Sequence, residues 1–210
     1  MNIEKIKKLA GKFIVFEGIE GSGKTTLINI LSEHMNKYGL SHIKTCINNY
    51  APINATIRDI ILEKGTSKNI ELLLFLSAHV QHIYSTIIPS LQKGICILCD
   101  RYIDSIYAYQ GAGRKISLYK IKWLINSLNI NVKPNIIFFL DVPIKTAINR
   151  INQRGKIDKI EMEHLYFFKR IRTYYLNSIN KNNNYRIINT NTTIDIIKAN
   201  LISIIENTNI

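Results

Sequence analysis

The nine residues GIEGSGKTT, Gly18 to Thr26, set glycines at 18 and 23, a lysine at 24 and a hydroxyl at 25. They fit G-x-x-x-x-G-K-[ST], the spacing of a phosphate cradle. Glycines let successive backbone N–H groups converge on phosphate oxygens, and the N-terminus of a following helix adds its positive dipole end. Lys24 can then reach the β- and γ-phosphates, and the Thr25 hydroxyl can ligate Mg²⁺. Expected ATP contacts therefore run through Gly18, Ile19, Glu20, Gly21, Ser22, Gly23, Lys24, Thr25 and Thr26. Glu20 is out of character, a carboxylate inside an anion-binding loop.

A second stretch, ICILCDRY from Ile95 to Tyr102, is an apolar run that delivers Asp100 and Arg101 to its end. Ligands of open α/β sheets bind beyond the carboxyl ends of strands. Asp100 there can hold Mg²⁺, directly or through water, and Arg101 can clamp a second phosphate bidentately. Asp141, which closes IIFFLD, competes for the metal, but it precedes a helix and capping suits it better. Cys96 and Cys99 form a C-x-x-C, yet residues three apart on a strand face opposite ways and cannot share a metal. With Cys46 they are too few for a disulfide framework.

These residues need a frame to hold them. Five apolar runs, Lys12–Glu17, Ile43–Ile47, Ile95–Cys99, Ile136–Leu140 and Tyr185–Ile188, read as strands. Their continuous apolarity predicts parallel strands covered on both faces. Helical segments alternate with them, which predicts an α/β three-layer fold on a five-stranded parallel sheet. One helix is expected over Lys24–Lys37, stopped near Gly39. Another is expected over Glu71–Gln92, where Pro89 should end or kink it, and Pro143 suits the first turn of a third. A chain of 210 residues is expected to form one domain.

The net charge of +13 invites a nucleic-acid reading. The lysines are scattered, however, and a polyphosphate substrate suits a basic surface as well, so no nucleic-acid partner is expected. No signal-peptide run opens the chain, and no apolar run approaches the ~18 residues of a bilayer span. A soluble, cytoplasmic chain without a membrane partner is the expectation.

FEGIEGSGKTT, DRYIDSIYAYQGAGR and RINQRGKIDKIE, in that order over Phe13 to Leu176, closely resemble bacterial thymidylate kinases. The middle stretch, with Ser105 and Ala108-Tyr109-Gln110-Gly111 after Asp100-Arg101-Tyr102, is the most family-specific. The resemblance implies a nucleoside-monophosphate-kinase fold, Mg²⁺-dependent transfer from ATP to dTMP, and a homodimer. It implies that Glu20 serves the acceptor sugar or its metal shell, that Arg101 holds the dTMP phosphate, and that Phe75 lies against the thymine. Ser105, Tyr109 and Gln110 would line the nucleoside pocket. Arg150 to Glu161 resembles the lid, and Gly21 in the cradle implies that the arginine opposite the moving phosphoryl group comes from that lid. Arg154 is the favoured residue, with Arg150 and Lys156 beside it; Lys24 and Arg101 complete the catalytic set.

Two departures stand out. Where relatives carry an arginine after the second strand, this chain reads Asn48-Asn49-Tyr50-Ala51-Pro52, with Arg58 the next basic side chain. His79 stands where many relatives have an arginine that reads the base; a neutral His79 is expected to donate one hydrogen bond at most. Both weaken the acceptor side, which implies a raised dTMP KM and looser base selectivity. The alternatives are another nucleotide or nucleoside kinase, a P-loop switch or nucleic-acid-dependent ATPase, and a decayed kinase kept for binding. An Asn-Lys-x-Asp guanine motif is missing, since Asn180-Lys181-Asn182-Asn183 lacks the acid.

Overall fold

Each apolar run becomes a strand, and the strands pair in parallel throughout. The computed structural model describes residues 6–47, 52–62, 66–130, 132–155, 160–179 and 182–207. β1 (Phe13–Glu17), β2 (His42–Cys46), β3 (Cys96–Asp100), β4 (Ile136–Asp141) and β5 (Tyr185–Asn189) form one sheet in the order β2-β3-β1-β4-β5. Phe16 pairs with Asp100, so the ends of β1 and β3 lie side by side. The phosphate cradle and Asp100-Arg101 therefore leave the sheet together.

The period-2 alternation of the strands divides the core between the two faces. Phe13, Val15, Ile97, Cys99, Ile137 and Phe139 pack on one face. Ile14, Phe16, Cys96, Leu98, Phe138 and Leu140 pack on the other. Cys96 and Cys99 thus sit in different clusters, as their spacing required, and burial pushes the Cys96 thiol up to about 12.

Helix α1 (Lys24–Lys37) buries Leu27, Ile28, Leu31 and Met35 against the second face. It stops at Gly39, whose φ of 66° lets the Leu40 N–H reach back to the Met35 carbonyl at 3.1 Å. α2 spans Pro52–Leu62 and α3 spans Lys68–His82, with the Ser67 hydroxyl accepting from the Ile70 N–H. Pro89 does not end the helix. A π segment at Ile83–Ile87 precedes it, in which the Ile88 N–H bonds the Ile83 carbonyl, and α4 (Ile88–Gln92) carries on. The wider turn absorbs the missing proline N–H.

Lys68–Gln92 is, by length and composition, long and apolar enough to cross a bilayer, which corrects the expectation that nothing approaches that length. Here 44% of its most apolar window is buried, and Leu72, Leu76, Ile83 and Ile87 lie in the first-face core.

After β3 come α5 (Ile103–Ile106), a π segment (Tyr107–Gly113) and α6 (Leu118–Ser127). α7 (Ile144–Arg154) follows β4, α8 (Leu165–Ile179) leads to β5, and α9 (Ile194–Asn207) closes the described chain. Pro143 is the N-cap of α7 rather than part of its first turn, and no side chain caps that end. Asp141 is instead gripped by the Arg172 fork, at 2.6 and 2.9 Å, because α8 brings that guanidinium across the strand end.

Phe138, fully buried and stacked on Phe16 at 5.3 Å between ring centroids, tests where the second core lies. Phe138→Ala should lose about 3–5 kcal/mol in a urea unfolding experiment. A loss below about 1 kcal/mol would place the stabilising core elsewhere.

Candidate active site

β1, β3 and the start of α1 converge on a cavity of about 790 Å³. Glu20, Gly21, Gly23, Lys24, Thr25 and Thr26 line one end of it. Gly18, Ile19 and Ser22 do not line it: Ile19 is buried in the core beneath the loop. The cradle geometry explains the glycines. Gly21 has φ 72°, and a Cβ there would run into the Ala147 carbonyl, so the loop cannot carry an arginine at this position. Lys24 Nζ donates to the Gly18 and Ile19 carbonyls at 3.2 Å each. Burial, seconded by Arg101, lowers its pKa.

Thr25 Oγ1 lies 3.4 Å from Asp100 Oδ2, while Asp100 Oδ1 is buried without a hydrogen-bond partner. A hydroxyl and an orphaned carboxylate oxygen next to a phosphate cradle fit a hard, oxygen-loving cation such as Mg²⁺. Asp141, committed to Arg172, is outside this group.

Arg101 sits past the end of β3 in the left-handed region, φ 69°. Its Nη2 donates to Glu20 Oε1 at 2.8 Å and its Nη1 to Ser105 Oγ at 3.3 Å, and its guanidinium lies 4.7 Å from the Tyr109 ring centroid. The Tyr109 hydroxyl donates to Glu20 Oε2 at 2.7 Å. Burial alone would raise Glu20, but Arg101, Lys24 and this hydroxyl outweigh it and hold the carboxyl below its usual range. The acid in the loop is ionised because a cation and a phenol close on it.

Cys46, Ile47, Arg58, Phe75, His79 and Gln110 also line the cavity. Arg58 is the surprise: it looked too distant in sequence, yet α2 turns it into the cavity. Residues 48–51, where relatives keep their arginine, lie outside the described residues. His79 departs from expectation in polarity. Its Nδ1 meets the Phe75 carbonyl at 3.0 Å, which can only accept, so Nδ1 carries the proton. Nε2 is buried without a hydrogen bond of good geometry, and the Tyr102 backbone also stands by the ring. Burial lowers its pKa to about 4 and keeps the ring neutral. His82 bonds Thr45 Oγ1 at 2.7 Å, away from His79, and no metal-ligand cluster of three occurs among the described residues.

On the lid side, Arg150 donates to the Gly21 carbonyl at 3.2 Å and the Thr190 carbonyl at 2.8 Å, bracing the cradle. Arg154 pairs with Glu161, its side chain 57% exposed at the cavity rim. Lys156 lies outside the described residues.

Sequence reasoning passed over Glu17. It ends β1 as Asp100 ends β3, an acid at the carboxyl end of an apolar strand, and that was the available signal. Burial, with Asp104 adding to it, raises its pKa from 4.5 to about 7.

One cavity holds the Lys24 phosphate cradle together with the Arg58 and Arg101 guanidinium groups, a cationic arrangement that suits phosphoryl transfer between two phosphate-bearing molecules. On a parallel sheet of this order, it defines a P-loop nucleoside-monophosphate kinase. The comparisons with known proteins agree. The family model for thymidylate kinase matches residues 16–201. The thymidylate kinase of Buchnera aphidicola subsp. Baizongia pistaciae is 41% identical over 197 residues, covering 90% of this chain and 92% of that one. That of Thermosipho africanus is 36% identical over 200 residues, covering 92% and 97%. The crystal structure of thymidylate kinase from Ehrlichia chaffeensis superposes with a TM-score of 0.77 at 30% identity, covering 94% of this chain and 99% of that one. The chain belongs to the thymidylate kinase family.

Two measurements check the site. Gly21→Ala should lose ATP binding and on the order of 1–3 kcal/mol of stability, the size of backbone strain at such a position; an unchanged melting temperature and ATP affinity would contradict the packing described. The Glu17 shift fixes a sign for pH. The unfolded chain releases this proton near 4.5 and the folded protein near 7, so the folded state holds the extra proton in between. Stability therefore falls as pH rises through that window, by about 3 kcal/mol, and levels off above it. Glu17→Gln should remove Glu17's share of that fall when unfolding free energies are compared from pH 4.5 to 8, leaving what buried Asp104, also raised by burial, contributes with the same sign.

Proposed function

We propose that the chain transfers the γ-phosphoryl group of ATP to dTMP, giving ADP and dTDP on the route to dTTP. The observation that carries this reading is the one cavity that Lys24 of the phosphate cradle shares with Arg58 and Arg101. Its 790 Å³ suits an acceptor nucleotide meeting the donor's phosphates. Lys24 and the cradle N–H groups hold the donor phosphates. Arg101, with Arg58, holds the acceptor phosphate in line with them. Glu20 fixes the Arg101 fork and presents its carboxylate toward the acceptor sugar hydroxyl. Phe75 lies against the base, Tyr109 and Ser105 border the sugar, and Gln110 and His79 face the base edge. Arg154 meets the developing negative charge, and Arg150 keeps the cradle in register with α7.

Thr25 and Asp100 would hold Mg²⁺, which supplies charge neutralisation at the donor phosphates. No protein nucleophile is needed, because positioning and electrostatics account for phosphoryl transfer. The unit is one kinase domain with residues 150–161 as its lid. It works in the cytoplasm as a homodimer, a reading that rests on family resemblance.

The acceptor edge differs from an arginine-lined one. A neutral His79 whose Nδ1–H is committed to the Phe75 carbonyl lacks the arginine fork for the thymine carbonyls, which supports a raised dTMP KM; thymine and uracil share that edge, so His79 adds no discrimination against dUMP. ADP release should be measured against a panel of nucleoside monophosphates. The expected result is dTMP as best acceptor, with dUMP turned over at a kcat/KM within about 200-fold, the range of one methyl group. Turnover of nucleosides instead, or nucleic-acid-stimulated hydrolysis without an acceptor, would overturn the assignment. Arg154→Met should reduce kcat by about 10²–10³-fold, the value of one transition-state donor, with little change in either KM. An unaltered kcat would remove Arg154 from the reaction.

A further inference from the structure

Glu17 is a fully buried carboxylate that does not border the cavity. A charge in that position needs partners, and it has three donors. Oε1 accepts the Tyr102 backbone N–H at 2.8 Å. Oε2 accepts the Ser105 hydroxyl at 2.6 Å and the Tyr175 hydroxyl at 2.7 Å. Two of these contacts lead to Arg101. Tyr102 is its chain neighbour, so the bond to Glu17 ties down the peptide that follows the left-handed Arg101 backbone. Further contacts pin the same turn: the Arg101 N–H bonds the Phe16 carbonyl at 3.0 Å, and the Cys99 thiol donates to the Arg101 carbonyl at 3.1 Å. The second link is through a side chain. Ser105 spends its only proton on Glu17, so its lone pairs face the Arg101 Nη1 at 3.3 Å.

We infer that Glu17 is a positioning residue for the acceptor end of the site: it fixes the Arg101 backbone through Tyr102 and orients the Ser105 hydroxyl as an acceptor for the Arg101 fork. Glu20 grips Nη2 from the cradle side while the Glu17–Ser105 relay grips Nη1 from beneath. The guanidinium is held from two sides before any acceptor phosphate arrives. Such preorganisation affects binding of the acceptor and leaves the donor cradle alone. The inference rests on the reading that Arg101 holds the acceptor phosphate.

The test is steady-state kinetics at pH 8 on Glu17→Gln, Ser105→Ala, the double variant and Arg101→Lys. The glutamine keeps an oxygen for the Tyr102 N–H, but its amide donates to Ser105 and turns that hydroxyl round. The dTMP KM of Glu17→Gln should rise about 10-fold or more, as expected for one charge-assisted hydrogen bond, with the ATP KM within about 2-fold. Ser105→Ala should show the same split, and the double variant should be no worse than the more impaired single one, because both cut the same link. Tyr175→Phe removes a bond to the same carboxylate and a 3.1 Å contact with the Ser105 hydroxyl, but leaves the Ser105 bonds to Glu17 and Arg101 and the Tyr102 N–H bond in place. It should lower the melting temperature and leave the dTMP KM within about 2-fold.

Additive effects in the double variant, or equal rises in both KM values, would overturn the inference. If Glu17→Gln fails to fold, Ser105→Ala decides alone, and an unmoved dTMP KM sinks the relay. An Arg101→Lys enzyme with unchanged dTMP KM would sink the reading of Arg101 itself. A raised value there, with Glu17→Gln unmoved, would sink only the positioning role.

Discussion

A guanidinium cannot be left uncompensated inside a protein, and the site is organised around how Arg101 is neutralised. Glu20 reaches it from the phosphate cradle, Ser105 from the turn after β3, and the Tyr109 ring lies over it. Ser105 and Tyr109 follow Arg101 on the same stretch of chain, whereas Glu20 lies 81 residues away, and the parallel pairing of β1 with β3 brings it to that point. An acid in an anion-binding loop is tolerated because it is also the counter-ion of a buried arginine.

The same geometry separates two tasks. On the donor side, the cradle is set by backbone: Gly21 takes a left-handed conformation packed against Ala147, and Arg150 braces the loop through its carbonyl. Nothing there depends on which molecule accepts the phosphoryl group. Elsewhere the cavity is lined by side chains on α2, α3 and the π segment, among them Arg58, Phe75, His79, Tyr109 and Gln110.

Irregular backbone marks the functional end of the fold. The left-handed Arg101 and the π segment carrying Tyr109 and Gln110 both follow β3, where the sheet no longer dictates the chain path. A π turn places successive side chains differently from an α-helix, so Tyr109 reaches Glu20 while Gly113 lets Phe167 of α8 pack against the turn. The second π segment, before Pro89, resolves a conflict between proline and helix within the long core element.

The sequence by itself determined the strands, the α1 helix and the phosphate cradle. These are written in local pattern: continuous apolar runs, glycines at fixed spacing, and a lysine and hydroxyl at the helix start. Asp100 and Arg101 were legible for the same reason, since they end an apolar run. Tertiary structure alone decided which side chains share a charge. Arg58 lines the cavity because α2 packs against α3, whereas its distance along the chain suggested otherwise. Asp141 takes the Arg172 fork because α8 crosses its strand end, although its position before a helix favoured capping. Glu17 accepts from the Tyr102 N–H and the Ser105 hydroxyl, 85 and 88 residues along the chain, on the turn that carries Arg101. Hydrogen-bond direction and counter-ion choice depend on distances of about 3 Å between segments remote in sequence, which no local pattern encodes.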